Sequence, residues 1–415
     1  MNVYALGVAS TVFKKLPDRS FRDLANEACR DAVQDAGLQD GRSISQIAFG
    51  NCAMGAWGQA NIRGQVALGD LASQGYINPG TPIINVEGGC ATGSLALHHC
   101  VQAIASGQHD LVMAMGVEKT WIPDDPAKSF ALFAGGIDQL HSDQWMSFFK
   151  TSAQEANQEF QPDPRRIIFL DVHGLQARHH MAKFGTTPAQ IAGVALKNRT
   201  HALDNERAQF RRPTSTADIL NDIPIIAPLT RSMCAPISDG AAAVILCSER
   251  YFRQSAPAQA RAIRIDACAL SGGQYRHIDA PSVTERAAAL AYARAEVGPD
   301  DIHIAEVHDA TAFCELLHYE SLGFCPSGEG GRYLESGATQ KDGTRPVNLS
   351  GGLISKGHPL AASGLSMIHE LVTQLRGEAG SRQAPNTPRR ALAQNAGGLI
   401  GYDEALCGVT ILSCP

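Results

Sequence analysis

Asn85-Val86-Glu87-Gly88-Gly89-Cys90-Ala91-Thr92-Gly93-Ser94 is the stretch on which the fold turns. Pro82 to Val86 reads as a buried strand, the two glycines permit a sharp turn, and Gly93 to Ala105 is a small-residue apolar helix stopped by Gly107. Asn348-Leu349-Ser350-Gly351-Gly352 repeats the N-x-x-G-G pattern. Ser363-Gly364-Leu365 then opens an apolar helix as Gly93-Ser94-Leu95 does, and Gly377 ends it as Gly107 ends the first. Matched strand, turn and helix in each half imply two copies of one αβ fold. One copy carries Cys90 at this place, and the other carries Gly357-His358-Pro359.

The surrounding sequence extends this pattern. Val3 to Val8, Ile47 to Cys52 and Leu111 to Met115 are strand-length apolar runs, and Phe21, Leu24, Ala25, Ala28, Ala32 and Val33 fall at helical spacing before Gly37. Strands alternating with helices imply an α/β sheet with helices on its faces. From Val117 to Ile225 charge, aromatics and prolines rise and the strand signal fades, while Leu175 to Phe184 and Pro188 to His201 keep helical spacing. An insertion of that length reads as a helical lid or binding loop. Ala241 to Cys247, behind Ser238-Asp239-Gly240, is a returning core strand. Arg261 to Leu270, a helix over Val283 to Val297, and Ile304 to Asp309 continue the second half. The expected division is residues 1–116 plus 226–255 for the first half, 117–225 for the insertion and 256–415 for the second half.

Composition narrows the class. The chain has 415 residues, 44% of them hydrophobic, and 35 basic against 41 acidic residues give a net charge of −6. A nucleic-acid binder would carry a basic surplus, and a spanning helix would need about 18 successive apolar residues, which are absent. The start Met1-Asn2-Val3-Tyr4 lacks a basic or long apolar leader, so a cytoplasmic protein is expected. The 11 cysteines form no C-x-x-C pair, and no H-E-x-x-H occurs, so no metal is expected. G-x-G-x-x-G after an N-terminal strand, the G-K-[ST] loop and G-x-S-x-G are missing too.

Two residues stand out chemically. A strand-to-helix turn lifts Cys90 to a helix N-terminus, where the dipole and free N–H groups favour a thiolate. The other reading is an inert buried thiol beside a turn. His358, held between Gly357 and Pro359, suits proton transfer from a thiol, or simply fills a loop hydrogen bond. His308-Asp309, after the strand at Ile304, is a second candidate with the same alternative.

Three stretches together resemble the thiolase superfamily, and within it the sterol-carrier-protein type thiolases and thiolase-like acetyl-CoA acyltransferases. They are Asn85 to Ser94, Ser238-Asp239-Gly240-Ala241-Ala242-Ala243, and Gly351-Gly352-Leu353-Ile354-Ser355-Lys356-Gly357-His358-Pro359-Leu360-Ala361-Ala362-Ser363-Gly364. His308-Asp309 looks like the start of that branch's His-Asp-Cys-Phe motif, and Lys197-Asn198 with His201 and Asn205 looks like its loop-domain signature. The resemblance implies a duplicated α-β-α-β-α five-layer core with an inserted loop domain. It implies acyl-CoA chemistry with coenzyme A as substrate or product and no permanent cofactor, and a homodimer or homotetramer. Cys90 would take the acyl group as a thioester. His358 would accept its proton and help hold the thioester oxygen, and His308 would be the second donor of that oxyanion hole. The Cys90 and Gly397-Gly398 backbone would form the other hole. Ser355, Lys356, Gly397 and Gly398 would contact coenzyme A.

The chain departs from the family in its second cysteine. Ala310 stands where the branch has the cysteine of His-Asp-Cys-Phe, and Gln394-Asn395-Ala396-Gly397-Gly398 is the best match to the C-terminal Cys-x-Gly of other thiolases. Cys407 lies further on: either it supplies the acid/base thiol, with Gly401 to Ala405 looping out, or it is a core-strand residue. The expected activity is a 3-ketoacyl-CoA thiolase or related acyltransferase on a bulky or unusual acyl-CoA. The alternatives are a thiolase-fold retro-aldolase on side-chain acyl-CoA and a non-catalytic lipid or acyl-CoA carrier subunit. Any zinc-ribbon/OB-fold partner would be a separate protein.

Overall fold

A computed structural model describes residues 2–163, 166–385 and 387–415. Its strands are β1 (Val3–Ser10), β2 (Ile47–Gly50), β3 (Ile83–Val86), β4 (Leu111–Lys119), β5 (Pro224–Ile226), β6 (Leu229–Thr230), β7 (Asp239–Ser248), β8 (Ile263–Gly272), β9 (Ile304–Glu306), β10 (Arg390–Gly397) and β11 (Leu406–Ser413). The helices that matter below are α1 (Phe21–Asp35), α2 (Thr92–Ala105), α3 (Pro126–Ala134), α4 (Ser142–Glu155), α5 (Ile168–Phe184) and α6 (Pro188–Ala202). They continue with α7 (Val283–Ala295), α8 (Ala312–Ser321), α9 (Gly352–Lys356) and α10 (Leu360–Leu375).

Nine strands hydrogen-bond in the order β3-β2-β4-β7-β1-β8-β11-β10-β9. The two halves meet where β1 runs antiparallel to β8, Val3 opposite Ile265 and Ala5 opposite Ile263. Each half repeats one pairing pattern. In the first, β2 is parallel to β3 and β4, then β4–β7 and β7–β1 are antiparallel. In the second, β9 is parallel to β10, then β10–β11 and β11–β8 are antiparallel. The place of β3 is taken by a single parallel bridge from Ala305 to Val347. The N-x-x-G-G repeat therefore marks a true structural duplication.

The strands are apolar on both faces because helices cover both. Tyr4 and Leu6 face Leu24, Ala28 and Ala32 of α1, while Val3 and Ala5 face a core shared with Leu97 of α2 and Leu365 of α10. On the second half, Ala267 and Ala269 face Val283, Ala287 and Ala291 of α7. The result is α1, first sheet half, the α2/α10 pair, second sheet half, then α7 and α8: five layers, as the family resemblance implied. A Ser20/Asp23 capping box fixes the start of α1, a device worth about 1 kcal/mol.

The central pair explains the matched Gly/Ser residues. A Cβ on Gly93 would stand 2.7 Å from the Ala361 carbonyl oxygen, and one on Gly364 would stand 2.9 Å from Ser94 Oγ. Only small residues let the two helices cross this closely, and the crossing brings their first turns together.

The insertion leaves β4 and returns at β7. Val117, where the insertion was expected to begin, lies inside β4, which stays fully buried through Lys119. Besides the helical stretches legible at Leu175 and Pro188, it contains α3, α4 and the β5–β6 ribbon. Its own core of Trp145, Phe149, Phe160 and Val172 packs on Leu399 and Tyr402 of the β10–β11 loop. No helix among the described residues is long and apolar enough to cross a membrane.

Candidate active site

Cys90 sits in the single turn Gly89–Ala91 that precedes α2. Thr92 Oγ1 locks that turn, accepting from the Gly88 N–H at 2.9 Å and donating to the Gly89 carbonyl at 2.6 Å. From the other half, Gly397 closes over it: a Cβ there would overlap the backbone nitrogens of Cys90 and Ala91. Two glycine turns thus press together over the thiol. Burial pushes the Cys90 thiol up to about 12, helped by Glu118, against the pull of its own N–H. The helix terminus was expected to favour a thiolate; desolvation opposes it and is the larger effect, which keeps the proton on the resting thiol.

Two imidazoles stand beside it. Cys90 Sγ and a ring nitrogen each of His308 and His358 lie within 4.8 Å of one another. The imidazole rings meet edge to face with centroids 5.1 Å apart. Their hydrogen bonds assign opposite roles. His358 Nδ1 lies 2.8 Å from Ser363 Oγ, whose own hydrogen goes to the Pro359 carbonyl at 2.9 Å. Ser363 must then accept, so Nδ1 carries the proton and Nε2, which has no partner, presents a lone pair. His308 is the reverse. Asn395 Nδ2 donates to its Nδ1 at 3.0 Å, and Asn395 is oriented by Ser94 Oγ, which donates to its Oδ1 at 3.0 Å. His308 Nε2 therefore carries the hydrogen and is a donor. Burial pushes His358 down to about 3 and His308 well below its usual range, so both are neutral.

One thiol and two imidazoles also have the composition of a soft-metal site. The tautomers do not fit one: a ligating His308 Nε2 would need the lone pair that its hydrogen replaces.

Scaffold residues hold this geometry. Ser238 Oγ accepts from the His358 N–H at 3.0 Å, which gives the Ser238-Asp239-Gly240 stretch its purpose. Asp309 accepts from the Leu353 and Ile354 N–H groups at 2.6 and 3.3 Å, fixing the start of α9. The Lys197/Asn198/His201/Asn205 set of α6 and its following turn is buried and ties down the Asn348–Gly352 turn. Lys197 Nζ donates to the Val347 carbonyl at 2.6 Å and pairs with Glu315 at 2.7 Å, and Asn205 Nδ2 donates to the Ser350 carbonyl at 2.7 Å.

The thiol and imidazoles line one cavity. Phe133, Ile167, Phe169 and Leu170 from the insertion form one wall, and Ala235, Pro236 and Ile237 another. Ala310, Ala396 and Gly397 complete the apolar lining. Three further polar residues line it that the sequence did not single out: His173, Cys314 and Glu404. Cys314 lies one helical turn beyond Ala310, a spacing that could have drawn notice. Asn395 was visible only as part of the Gln394–Gly398 stretch.

Other expected site residues are elsewhere. Cys407 is on β11, fully buried, its sulfur 3.5 Å from Gln394 Nε2 and 3.6 Å from Thr284 Oγ1. It does not reach the cavity, because Gly401 to Ala405 form the turn before the strand and leave Cys407 paired with Ala396 inside the sheet. Ser355 and Lys356 are likewise buried in α9 rather than lining the cavity, with Lys356 Nζ 3.7 Å from Glu306. Gly398 backs the site: a Cβ on Gly89 would stand 2.8 Å from its nitrogen.

Known proteins match along the whole chain. Residues 4–250 match the family described as thiolase, N-terminal domain, and residues 271–407 match thiolase C-terminal domain-like. An acetyl-CoA acetyltransferase of Methanothermobacter thermautotrophicus is 37% identical over 96% of this chain and 97% of its own length. A benzoylsuccinyl-CoA thiolase subunit of Thauera aromatica is 30% identical over 95% and 94%, and bovine sterol carrier protein 2 is 35% identical over 95% and 70%. Among solved structures, human mitochondrial 3-ketoacyl-CoA thiolase in complex with CoA superposes with a TM-score of 0.68 at 18% identity, over 100% of this chain and 98% of that one. An Ltp2-ChsH2(DUF35) aldolase gives 0.75 at 21% identity, over 100% and 98%. The chain belongs to the thiolase family, whose members are acyltransferases that use coenzyme A as a substrate and need no permanent cofactor.

Proposed function

We propose that this chain transfers acyl groups between carbon and coenzyme A through a thioester on Cys90, acting on acyl groups bulkier than acetyl. The opposite tautomers of His358 and His308 beside one thiol carry the reading: one imidazole takes a proton, and the other gives a hydrogen bond. In the cleavage direction His358 Nε2 takes the Cys90 proton and Sγ adds to the 3-keto carbon of a 3-ketoacyl-CoA. The C2–C3 bond breaks and its electron pair becomes the enolate of the departing thioester. His308 Nε2–H, with the hydrogen newly held on His358, stabilises that enolate oxygen. A positioned donor of this kind is worth about 10²–10³ in rate. Coenzyme A then attacks the Cys90 thioester, and the sulfur leaves with the proton from His358.

Phe133, Ile167, Phe169 and Leu170 of the 117–225 insertion supply the apolar wall that a bulky acyl group would fill. Retro-aldol cleavage and passive carriage need no nucleophile, so Cys90 beside an unpartnered base favours acyl transfer. β3 ends the nine-stranded sheet unpaired with Ile84 exposed, an edge suited to a second copy of the chain in a cytoplasmic homo-oligomer.

Intact-mass measurement after incubation with acetyl-, decanoyl- and benzoyl-CoA tests the reading. One acyl adduct should form and vanish in Cys90→Ser. No adduct from any of the panel would sink it.

A further inference from the structure

Acyl transfer of this type needs a second acid/base to protonate the departing enolate, or in reverse to remove the α-hydrogen of the incoming thioester. Ala310 cannot do this, and Cys407 is walled off in the sheet. Resting on the acyltransfer reading above, we propose that Glu404 is that group, a carboxyl doing what a thiol does elsewhere in the family.

The side chain lines the cavity that holds Cys90, His308 and His358. It stands in the β10–β11 loop, which neighbouring contacts hold rigidly. Asp403 takes Arg276 at 2.5 Å and Arg286 at 2.6 Å, and Tyr402 packs on Phe148 and Phe149 of the insertion. Both nearby guanidinium groups are thus paired with Asp403, and the Glu404 carboxyl forms no ion pair among the described residues; the hydrogen bond it accepts comes from its own backbone N–H. A carboxyl kept in an apolar cavity without an ion-pair partner and tied only to its own N–H holds no other part of the fold in place, in contrast to Glu118. That buried carboxyl accepts from the N–H groups of Cys52, Ala53 and Ala361. Burial, outweighing the pull of its own N–H and of Arg276 and helped by the Asp403 charge, raises Glu404 to about 7, where both protonation states are available near neutral pH. Cys314 shares the cavity, but burial pushes its thiol up to about 12 and Thr311 Oγ1 occupies its sulfur at 3.1 Å.

The protons balance. In cleavage, protonated Glu404 gives its hydrogen to C2 as the C2–C3 electron pair leaves. The resulting carboxylate takes the thiol hydrogen of coenzyme A as that sulfur attacks the Cys90 thioester, which restores the acid. In condensation the carboxylate removes the α-hydrogen, and the electron pair forms the new C–C bond to the thioester carbon.

Deuterium wash-in to the methyl group of acetyl-CoA in D₂O, read by mass alongside the Cys90 adduct, tests this role. The native chain should exchange, with a rate that rises with pH through about 7. Glu404→Gln should slow exchange by at least about a hundredfold and lose that pH limb, while Cys90 still acylates. Glu404→Asp should keep the limb at a reduced rate, and Cys314→Ala should keep the limb. Exchange at the native rate in an acylated Glu404→Gln chain overturns the role, as does loss in Cys314→Ala without loss in Glu404→Gln. Absence of a Cys90 adduct on the native chain overturns the acyltransfer reading itself, and this role with it.

Discussion

The turns before α2 and α10 occupy equivalent places in the two halves, yet they have diverged into different instruments. Before α2, Gly88-Gly89 leads straight to Cys90, so a sulfur arrives at the mouth of the helix. Before α10, Gly351-Gly352 leads into the short helix α9 and only then to His358, so an imidazole arrives instead. The places after β2 and β9 differ in the same way. Asn51 is spent on structure, donating to the Val117 carbonyl at 2.7 Å and to Glu118 at 3.0 Å. Its counterpart His308 keeps one nitrogen free for the cavity. Duplication supplied two frames with equivalent places, and in the proposed mechanism one carries the nucleophile and the other the proton-handling groups.

The sharpest way to break this division is to remove one half's contribution at a time. Cys90→Ala should abolish turnover, at least about 10⁴-fold, with the fold intact by circular dichroism. Asn395→Ala lets the proton move to His308 Nδ1 and removes the donor. It should lower kcat by up to about 10³-fold, with KM for acyl-CoA little changed. Unchanged kcat would mean that Asn395 merely packs. Gly397→Ala pushes a methyl group into the Cys90 turn, and misplacing the nucleophile by this much should cost about a hundredfold in single-turnover acylation.

A stability measurement sharpens the account of Glu404. Its folded pKa of about 7 lies above the ordinary 4.5, so the folded chain binds that proton more tightly. The associated stability is present below pH 4.5 and lost as pH rises to 7. Glu404→Gln carries no charge at any pH, so it should be more stable than the native chain by about 1–3 kcal/mol at pH 8 and equal to it at pH 4.5. Urea unfolding at the two pH values measures this difference. Cys407→Ala should have the smallest effect on function: turnover within about threefold, with a stability loss of about 1–2 kcal/mol from the vacated core volume. A large fall in turnover would return Cys407 to the chemistry.

Much of this was legible in the chain. Cys90 and His358 were marked by glycine turns, and glycine spacing is a local signal that survives without a structure. Gly93-Ser94 and Ser363-Gly364 gave away the crossing of the central helices. The missing parts depend on contacts that no local pattern encodes. Asn395 reaches His308 across 87 positions of sequence, and Glu404 becomes special only because Asp403 absorbs Arg276 and Arg286. Ser363 was close at hand, five residues from His358, but its meaning lay in its second bond to Pro359. Cys407 stayed open for the opposite reason. A cysteine beside a glycine at the start of an apolar run fits a catalytic motif and a sheet interior equally well, and strand pairing decides between them. Ser355 and Lys356 belong to a motif whose buried members hold the loop, so motif membership alone did not say which of them face the cavity.

In the proposed mechanism the second half's imidazole activates the first half's thiol. Single-turnover acylation of Cys90 in His358→Asn, followed by quenched-flow mass measurement with the best acyl-CoA of the panel, tests it most directly. An adduct should still form on Cys90, but at least about a hundredfold more slowly than in the native chain. Acylation at the native rate in that variant would contradict it.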